Sequence, residues 1–264
     1  MRRHPLSAPL LALLLAVAFW PALGIDDVGP PPDVLFQVST INALLDGAYT
    51  GGLSIGELRQ HGDTGIGTFD CLDGELVLLE GHAYQVLATG EVRSVEDTAT
   101  TPFASATTFR TDASAELDQP ADLDAIKAAL DGLRISDNLF YAARVDGHFA
   151  AVRTRSVPRQ EKPFPPLAAV TQNQPEFETK DVDGTVVGFW CPRFVEGVNV
   201  GGWHLHFLSA DRRFGGHLLA LAAGRASLAV DAKAQFSLHL PATPEFLQLG
   251  IRAGKAAEID QVEK

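Results

Sequence analysis

Runs in which apolar and polar residues alternate cover much of the chain and predict a protein built mainly of strands. The runs GTFDCL and ELVLLE flank Asp73 and Gly74, a strong two-residue hairpin signal. A second hairpin is predicted across Asp146 and Gly147, within LFYAARVDGHFAAVRTRSV. The same alternation predicts further short strands, at residues 82–88, 91–95, 185–190, 204–208, 216–221 and 235–240.

Helical patterns are short and few. Ser39 and Thr40 precede INALL as a cap, and SIGELRQHG has serine at its start, glutamate three residues on and glycine at its end. Residues 122–133 have an amphipathic helix pattern that ends at Gly132, and the tail, 253–264, is a polar helix or a frayed end. Strand and helix do not alternate as in a doubly wound sheet. The predicted class is therefore α+β, strand-dominated, with mixed or antiparallel sheets and few helices.

The chain has 264 residues, a length that suits one large domain or two small ones, and its hydrophobic content of 46% is enough for a buried core. Pro163, Pro165 and Pro166 cluster within residues 160–174, where the sequence is compatible with a boundary between two subdomains that share one site. The net charge of −12 disfavours a nucleic-acid groove or an anionic membrane surface as a partner.

The N-terminus has the layout of a secretory signal peptide. Two arginines precede an uncharged apolar run that ends in the small-residue sequence ALG. The run is shorter than the roughly 18 to 20 residues of a spanning helix. We therefore expect cleavage of residues 1–24, which leaves 25–264 as an exported domain, periplasmic or secreted. An uncleaved N-terminal anchor is the alternative.

The two cysteines leave the redox state open. In an oxidising compartment Cys71 and Cys191 could form one disulfide. Nothing in the sequence brings them together, and two buried, unpaired thiols fit equally well.

Three of the eight histidines fall within the segment GGWHLHFLSADRRFGGH. On a strand, His204 and His206 point to the same face, about 7 Å apart, because side chains alternate with period two. His217 would arrive on the next strand, after a turn eased by Gly215 and Gly216. Three imidazoles with an open fourth position are typical of a catalytic zinc site, whereas a structural zinc usually has a fourth protein ligand.

Two other interpretations compete with the metal site. Pairs of the form HxH are common on exposed strands, and cupin barrels also place HxH on a strand. Cupins continue with a glutamate three or four residues on, where this chain has Ser209 and Ala210, which argues against a cupin. His217 and the two glycines before it favour the metal site over an exposed pair.

A metal with three neutral ligands usually works with an acid or base nearby. Glu75 opens a strand directly after the tight turn at Asp73 and Gly74, so its position is well fixed. Alternation places Arg153 and Arg155 on one face of their strand, a pair suited to holding a carboxylate substrate. Each of these residues alone is more often a solvated charge.

Four segments follow one another along the chain: GIGTFDCLDGELVLLEGHAYQV, TPFA, RTRSVPRQEKPFPPL and NVGGWHLHFLSADRRFGGHLL. In this order, from about Phe36 to the C-terminus, they resemble the alpha-acetolactate decarboxylase family. GTFDxLDGEL and HLHFLxxDxxxGGH are specific in combination. The resemblance implies that the zinc ligands are His204, His206 and His217.

The same resemblance assigns further residues to the site. It implies an active-site glutamate at Glu75, an active-site arginine at Arg155, and Thr68 beside the bound ligand. A glutamate near the end of family chains corresponds to Glu263, with Glu258 as the alternative.

The reaction that the resemblance implies is conversion of 2-acetolactate, a 2-hydroxy-3-oxo acid, to acetoin and carbon dioxide. Charge left by carbon dioxide moves onto the ketone oxygen as an enediolate, where zinc stabilises it as a Lewis acid, so no thiamine or pyridoxal cofactor is needed. Arg155 would hold the substrate carboxylate or the developing oxyanion, and Glu75 or Glu263 would protonate one face.

Two functions from other classes remain as alternatives. One is a secreted zinc hydrolase with Glu75 as general base, and the other is a non-catalytic protein that scavenges metal. A homodimer is compatible with the sequence. We expect no nucleic-acid partner and, after signal cleavage, no membrane partner.

Overall fold

Strands dominate the residues that the computed structural model describes, 33–252 and 254–263. The predicted α+β, strand-dominated class with few helices is confirmed. The predicted signal peptide, residues 1–24, lies outside the described residues. Within them, no helix combines the length and apolar character that crossing a membrane requires.

The first sheet has seven strands and is antiparallel except where its outermost strand joins. The strands are β1 (Val34–Val38), β3 (Thr64–Thr68), β4 (Glu75–Leu79), β5 (His82–Val86), β6 (Val92–Ser94), β8 (Ala104–Thr107) and β15 (Gln235–His239). Their order is β15-β1-β8-β3-β4-β5-β6, and β15 runs parallel to β1. Two short strands, β2 (Leu53–Ser54) and β7 (Thr100–Thr101), pair separately. The predicted hairpin around Asp73 and Gly74 is confirmed, since β3 and β4 pair antiparallel, although a 3-10 turn at Asp70–Leu72 lengthens the connection.

The second sheet contains the longest strands and is antiparallel throughout. Its strands are β9 (Ala113–Leu117), β10 (Ala121–Asp122), β11 (Phe140–Arg155), β12 (Glu176–Cys191), β13 (Gly202–Ser209) and β14 (Gly215–Lys233). The nineteen-residue β14 pairs with β9, β10 and β11 along one part and with β13 near its start. Because β11 pairs with β12 and β12 with β13, the pairing closes into a ring.

The hairpin predicted across Asp146 and Gly147 is wrong, because β11 continues through both residues. Asp146 lies opposite Thr185 on β12 and Ser227 on β14, so both edges of the strand are paired here. A Cβ atom on Gly147 would lie 2.6 Å from the carbonyl oxygen of Arg225. This glycine therefore permits close strand approach and does not make a turn.

The first two helices begin at the caps that the sequence predicts, and six helices are present in the described residues. They are α1 (Ile41–Leu45), α2 (Ile55–Arg59), α3 (Leu123–Leu133), α4 (Leu167–Thr171), α5 (Pro244–Gln248) and α6 (Ala256–Glu263). The Thr40 hydroxyl caps α1, a capping box of Ser54 and Glu57 starts α2, and the Asp122 carboxylate caps α3. Of the two alternatives for the tail, the helix is correct.

Buried apolar side chains join the sheets and helices into one body. One cluster lies between the sheets, where Ile66 and Val77 of the first contact Val187 and Phe189 of the second. A second cluster joins α1, α4 and α6 beside the end of β3; its buried members are Ile41, Leu44, Leu45, Tyr49, Leu72, Phe103, Val157, Leu167, Val170, Val200, Ile259 and Val262. Strand β4, in the interior of the first sheet, thus lies against β13 and β14 of the second.

Cys71 and Cys191 are free thiols, which decides between the two alternatives left open by the sequence. Cys191 is buried between the sheets, and Cys71 is partly buried on the 3-10 turn before β4.

Candidate active site

Three histidine side chains converge where β13 meets β14. His204 and His206 share one face of β13, and His206 lies directly opposite His217 across the strand pair. The ring centroids are 5.0 to 5.4 Å apart, and one nitrogen of each ring lies within 4.8 Å of the others. All three side chains are buried. The predicted convergence of these residues is therefore present.

The ring nitrogens are suited to holding a metal ion. The Nδ1 atom of His206 lies 3.0 Å from the Leu76 carbonyl oxygen, an acceptor that requires the proton on Nδ1 and leaves a lone pair on Nε2. That Nε2 atom is buried and has no hydrogen-bond partner. His204 Nε2 and His217 Nδ1 are 3.1 Å apart, close to the roughly 3.3 Å between two nitrogens bound to tetrahedral zinc.

Burial keeps the three imidazoles neutral, as metal ligands must be. Desolvation lowers the pKa of His206 to about 3 and lowers the pKa values of His204 and His217 well below the usual range. The nearby Arg155 guanidinium acts in the same direction on all three.

Two carboxyl groups border the histidines from different elements. Glu75 opens β4, and its Oε2 atom lies 3.7 Å from His206 Nε2. Glu263, at the end of α6, places Oε2 3.3 Å from His204 Nε2 and 3.9 Å from His217 Nδ1. Burial raises the pKa of Glu75 to about 8 and that of Glu263 to about 7, opposed in both cases by the positive charge of Arg155. Both groups therefore have pKa values close to neutrality in the metal-free cavity.

Arg155 ends β11 opposite His217 on β14. Its Nη2 atom donates a hydrogen bond to the Val262 carbonyl oxygen, which connects the guanidinium to α6. Its Nε atom is buried without a hydrogen-bond partner. The cavity thus contains a fixed cation with one unused donor.

The predicted pairing of Arg153 with Arg155 at the site is wrong. Arg153 lies two residues before the cavity end of β11, opposite Glu178 on β12 and Ala220 on β14. The Arg153 side chain is 51% exposed and forms an ion pair with Glu176 at 3.3 Å. Only Arg155 lines the cavity.

The two remaining predicted residues lie in different places. Thr68 is buried at the end of β3, opposite Glu75, and its hydroxyl donates to the Gly74 carbonyl oxygen at 2.6 Å. This bond ties the two strands together at the cavity wall. Glu258, the alternative to Glu263, points away from the cavity toward Lys255, 3.6 Å distant. Glu263 is thus the tail glutamate at the site.

Much of the cavity wall is apolar. The sequence analysis missed these side chains, because they come from turns and helices far apart in the chain and carry no motif. They are Leu44, Leu72, Phe103, Val157, Leu167 and Val262. The site therefore combines a polar end with histidines, carboxyl groups and arginine, and an apolar end.

Known proteins share this chain's sequence and fold over most of its length. A family model described as alpha-acetolactate decarboxylase matches residues 35–253. The alpha-acetolactate decarboxylase of Methanosarcina mazei is 45% identical over 232 residues, which is 88% of this chain and 81% of that protein. The enzyme of the same name from Bacillus licheniformis is 41% identical over 216 residues, 82% of this chain and 85% of that one.

A solved structure agrees with the sequence comparisons. The crystal structure of alpha-acetolactate decarboxylase from Bacillus subtilis strain 168 superposes with a TM-score of 0.85 at 36% identity, covering 87% of this chain and 99% of that one. Family model, relatives and fold agree along nearly the whole described chain. The chain belongs to the alpha-acetolactate decarboxylase family.

Proposed function

We propose that the chain converts 2-acetolactate to acetoin and carbon dioxide in a zinc-dependent reaction. The observation that carries the proposal is a cluster of three buried, neutral imidazoles bordered by two carboxyl groups and one guanidinium, at the end of one cavity. The substrate is a small β-keto acid with two methyl groups, and the polar and apolar ends of the cavity match its two kinds of group.

His204, His206 and His217 are the residues that would hold the metal. Three neutral nitrogen donors suit zinc, and a cavity beside them leaves room for substrate. When bound there, zinc supplies Lewis acidity that stabilises negative charge on the ketone oxygen as the carbon–carbon bond breaks. The Leu76 carbonyl keeps the His206 ring in the orientation and tautomer required of a ligand.

Arg155 binds and orients the substrate carboxylate in this scheme. Arg155 lines the cavity, its Nε donor is buried without a partner, and its bond to the Val262 carbonyl holds the guanidinium in place. The fixed carboxylate sets the carbon–carbon bond relative to the histidine cluster, so that the bonding electron pair left behind by departing carbon dioxide is delocalised onto the ketone oxygen. Thr68 acts indirectly by fixing Gly74, the residue before Glu75.

The carboxyl pair of Glu75 and Glu263 supplies the proton that completes acetoin. The two groups reach the histidine cluster from separate elements, β4 and α6, and a carboxyl group held on one side protonates one face of the planar intermediate. We therefore expect a single acetoin enantiomer. Glu75→Gln and Glu263→Gln, compared for rate and for product enantiomeric ratio, identify the member of the pair that delivers the proton.

The first experiment gives racemic acetolactate to the mature protein and measures acetoin by chiral chromatography, with and without a chelator. We expect one enantiomer, loss of activity with chelator and recovery with zinc. Glu75→Gln should lose activity, whereas Glu258→Gln, a glutamate outside the cavity, should retain it. A folded, zinc-loaded protein that makes no acetoin but cleaves esters or amides would refute the proposal in favour of a zinc hydrolase, which the named relatives do not favour.

We also propose that residues 1–24 are a signal peptide and that the enzyme works after export. The support is the pattern of two arginines, an apolar run and small residues in the sequence. N-terminal sequencing of the protein from the exported fraction should begin at Ile25. Recovery of the intact N-terminus from the cell interior would contradict export.

A further inference from the structure

Gln174 borders the cavity and has a side-chain oxygen with no assigned role. It lines the same space as Arg155, His204 and Glu263. Its Oε1 atom is shielded from solvent and has no hydrogen-bond partner. Buried amide oxygens in folded proteins are almost always paired, so this acceptor calls for a donor that binds in the cavity.

The backbone holds Gln174 in a fixed relation to Arg155. The next residue, Pro175, accepts a hydrogen bond from the Ser156 backbone N–H at 3.2 Å, directly after Arg155 on β11. Glu176 then pairs opposite Arg155 at the start of β12. Because proline also restricts the residue before it to extended conformations, the Gln174 backbone has little freedom to move away.

Two residues that line one cavity therefore each carry a buried polar group without a partner. Gln174 Oε1 is an acceptor without a donor, and Arg155 Nε is a donor without an acceptor. A 2-hydroxy acid satisfies both, since its hydroxyl donates and its carboxylate accepts from neighbouring atoms. We propose that Gln174 Oε1 accepts the hydrogen bond of the substrate 2-hydroxyl group while Arg155 holds the carboxylate.

This inference rests on the proposed function and adds a determinant of specificity to it. A β-keto acid without the hydroxyl leaves Oε1 buried and unpaired, and sites built to bond a hydroxyl reject such analogues strongly. Gln174 thereby selects 2-hydroxy-3-oxo acids from other β-keto acids of similar size.

The test compares two ligands of almost equal shape on two proteins. 2-Hydroxy-2-methylpropanoate and 2,2-dimethylpropanoate differ only in a hydroxyl in place of a methyl group, and neither can lose carbon dioxide by this route. Dissociation constants are measured by calorimetry on zinc-loaded wild type and on Gln174→Met, which retains length but loses the amide. We expect the wild-type preference for the hydroxy acid to fall by about five- to tenfold in the variant, as for loss of one hydrogen bond. Affinity for the dimethyl acid should stay within about twofold.

Gln172→Met is the matched control, because Gln172 is exposed on the same segment and should leave the preference unchanged. If Gln174→Met does not fold, as judged by circular dichroism, Gln174→Asn withdraws the amide by one methylene and should lower the preference similarly. The inference is overturned if Gln174→Met weakens the binding of both acids equally, or if it keeps the full wild-type preference for the hydroxy acid. Acetoin formation by the same wild-type preparation separates the two proposals. If no acetoin forms, the proposed function itself is wrong. If acetoin forms but Gln174→Met keeps the preference for the hydroxy acid, only the role of Gln174 is wrong.

Discussion

The C-terminal helix α6 is expected to control activity more than stability, and Ile259→Ala tests this. The helix carries Glu263 and the Val262 carbonyl that accepts from Arg155. It docks through Ile259 and Val262, both buried in the cluster shared with α1 and α4. An isolated helix of eight residues is not stable in water, so α6 depends on these two side chains.

The magnitude follows from the burial. Two buried aliphatic side chains contribute about 1.5–3 kcal/mol each, and ordering the helix offsets much of that sum, so the net free energy of docking is small. Ile259 is 3% exposed, and truncating such a residue to alanine costs about 2–5 kcal/mol. Even the lower figure shifts the docking equilibrium roughly 30-fold. We expect kcat/KM to fall by about tenfold or more, since an undocked helix removes Glu263 from the histidines.

The assay pairs acetoin kinetics with thermal unfolding and limited proteolysis of the C-terminus. Because α6 lies at the end of the chain and outside both sheets, Ile259→Ala should change Tm by only a few degrees while the tail becomes sensitive to protease. Ile135→Ala is the matched control, since Ile135 is 84% exposed and does not line the cavity. It should change neither the acetoin kinetics, nor Tm, nor the protease sensitivity of the tail. A variant with wild-type kcat/KM and a Tm many degrees lower would refute the reasoning, because α6 would then belong to the global folding unit.

Three further predictions concern the metal ligands, a buried ion pair and the thiols. His206→Gln should weaken zinc binding, measured by competition with a chelating dye, by more than the roughly 10- to 100-fold that loss of a residue hydrogen-bonded to a ligand costs. His82→Gln, at an exposed strand position, should leave zinc binding unchanged. Lys233→Met should lower the free energy of unfolding in urea by about 3–5 kcal/mol. The Lys233 ammonium group lies 2.6 Å from the buried Asp231 carboxylate, and the variant removes this partner. An unchanged urea midpoint would contradict this prediction. A thiol reagent should react slowly with Cys71, whose pKa is raised by burial and by the adjacent carboxylate, and should reach Cys191 only after unfolding; fewer than two thiols in the unfolded protein would indicate a disulfide.

The sequence predicted those features that depend on contacts between residues close together in the chain. Period-two alternation placed His204 and His206 on one face, and the double glycine before His217 predicted the return strand. Side-chain caps at Thr40 and Ser54 predicted two helix starts, because each cap bonds a backbone N–H three residues away. These signals succeed because sequence neighbours make the contacts themselves.

The wrong predictions concern residues whose conformation depends on pairing with strands far away in the sequence. The dipeptide at Asp146 and Gly147 has the composition of a turn, but paired strands on both sides hold it extended. Arg153 fails for a similar reason, since the pairing of β11 with β12 brings Glu176 beside it and the two form an ion pair outside the cavity. Gln174 carries no motif at all, and only the fold places it beside Arg155. Contacts between remote segments therefore account for most of what the sequence analysis missed.

The charges of the cavity indicate what the proposed metal ion would add to Arg155 in binding an anionic substrate. The chain has a net charge of −12, so its long-range field repels an anionic substrate. Within the cavity, Arg155 faces Glu75 and Glu263, whose pKa values of about 8 and about 7 leave them only partly ionised near neutral pH, so the three groups together carry little net charge. A divalent ion on the three neutral histidines would make the local charge clearly positive where a carboxylate binds. We therefore expect chelation to weaken the binding of substrate-like carboxylates as well as to stop turnover, because the charge of Arg155 is partly offset by its two acidic neighbours.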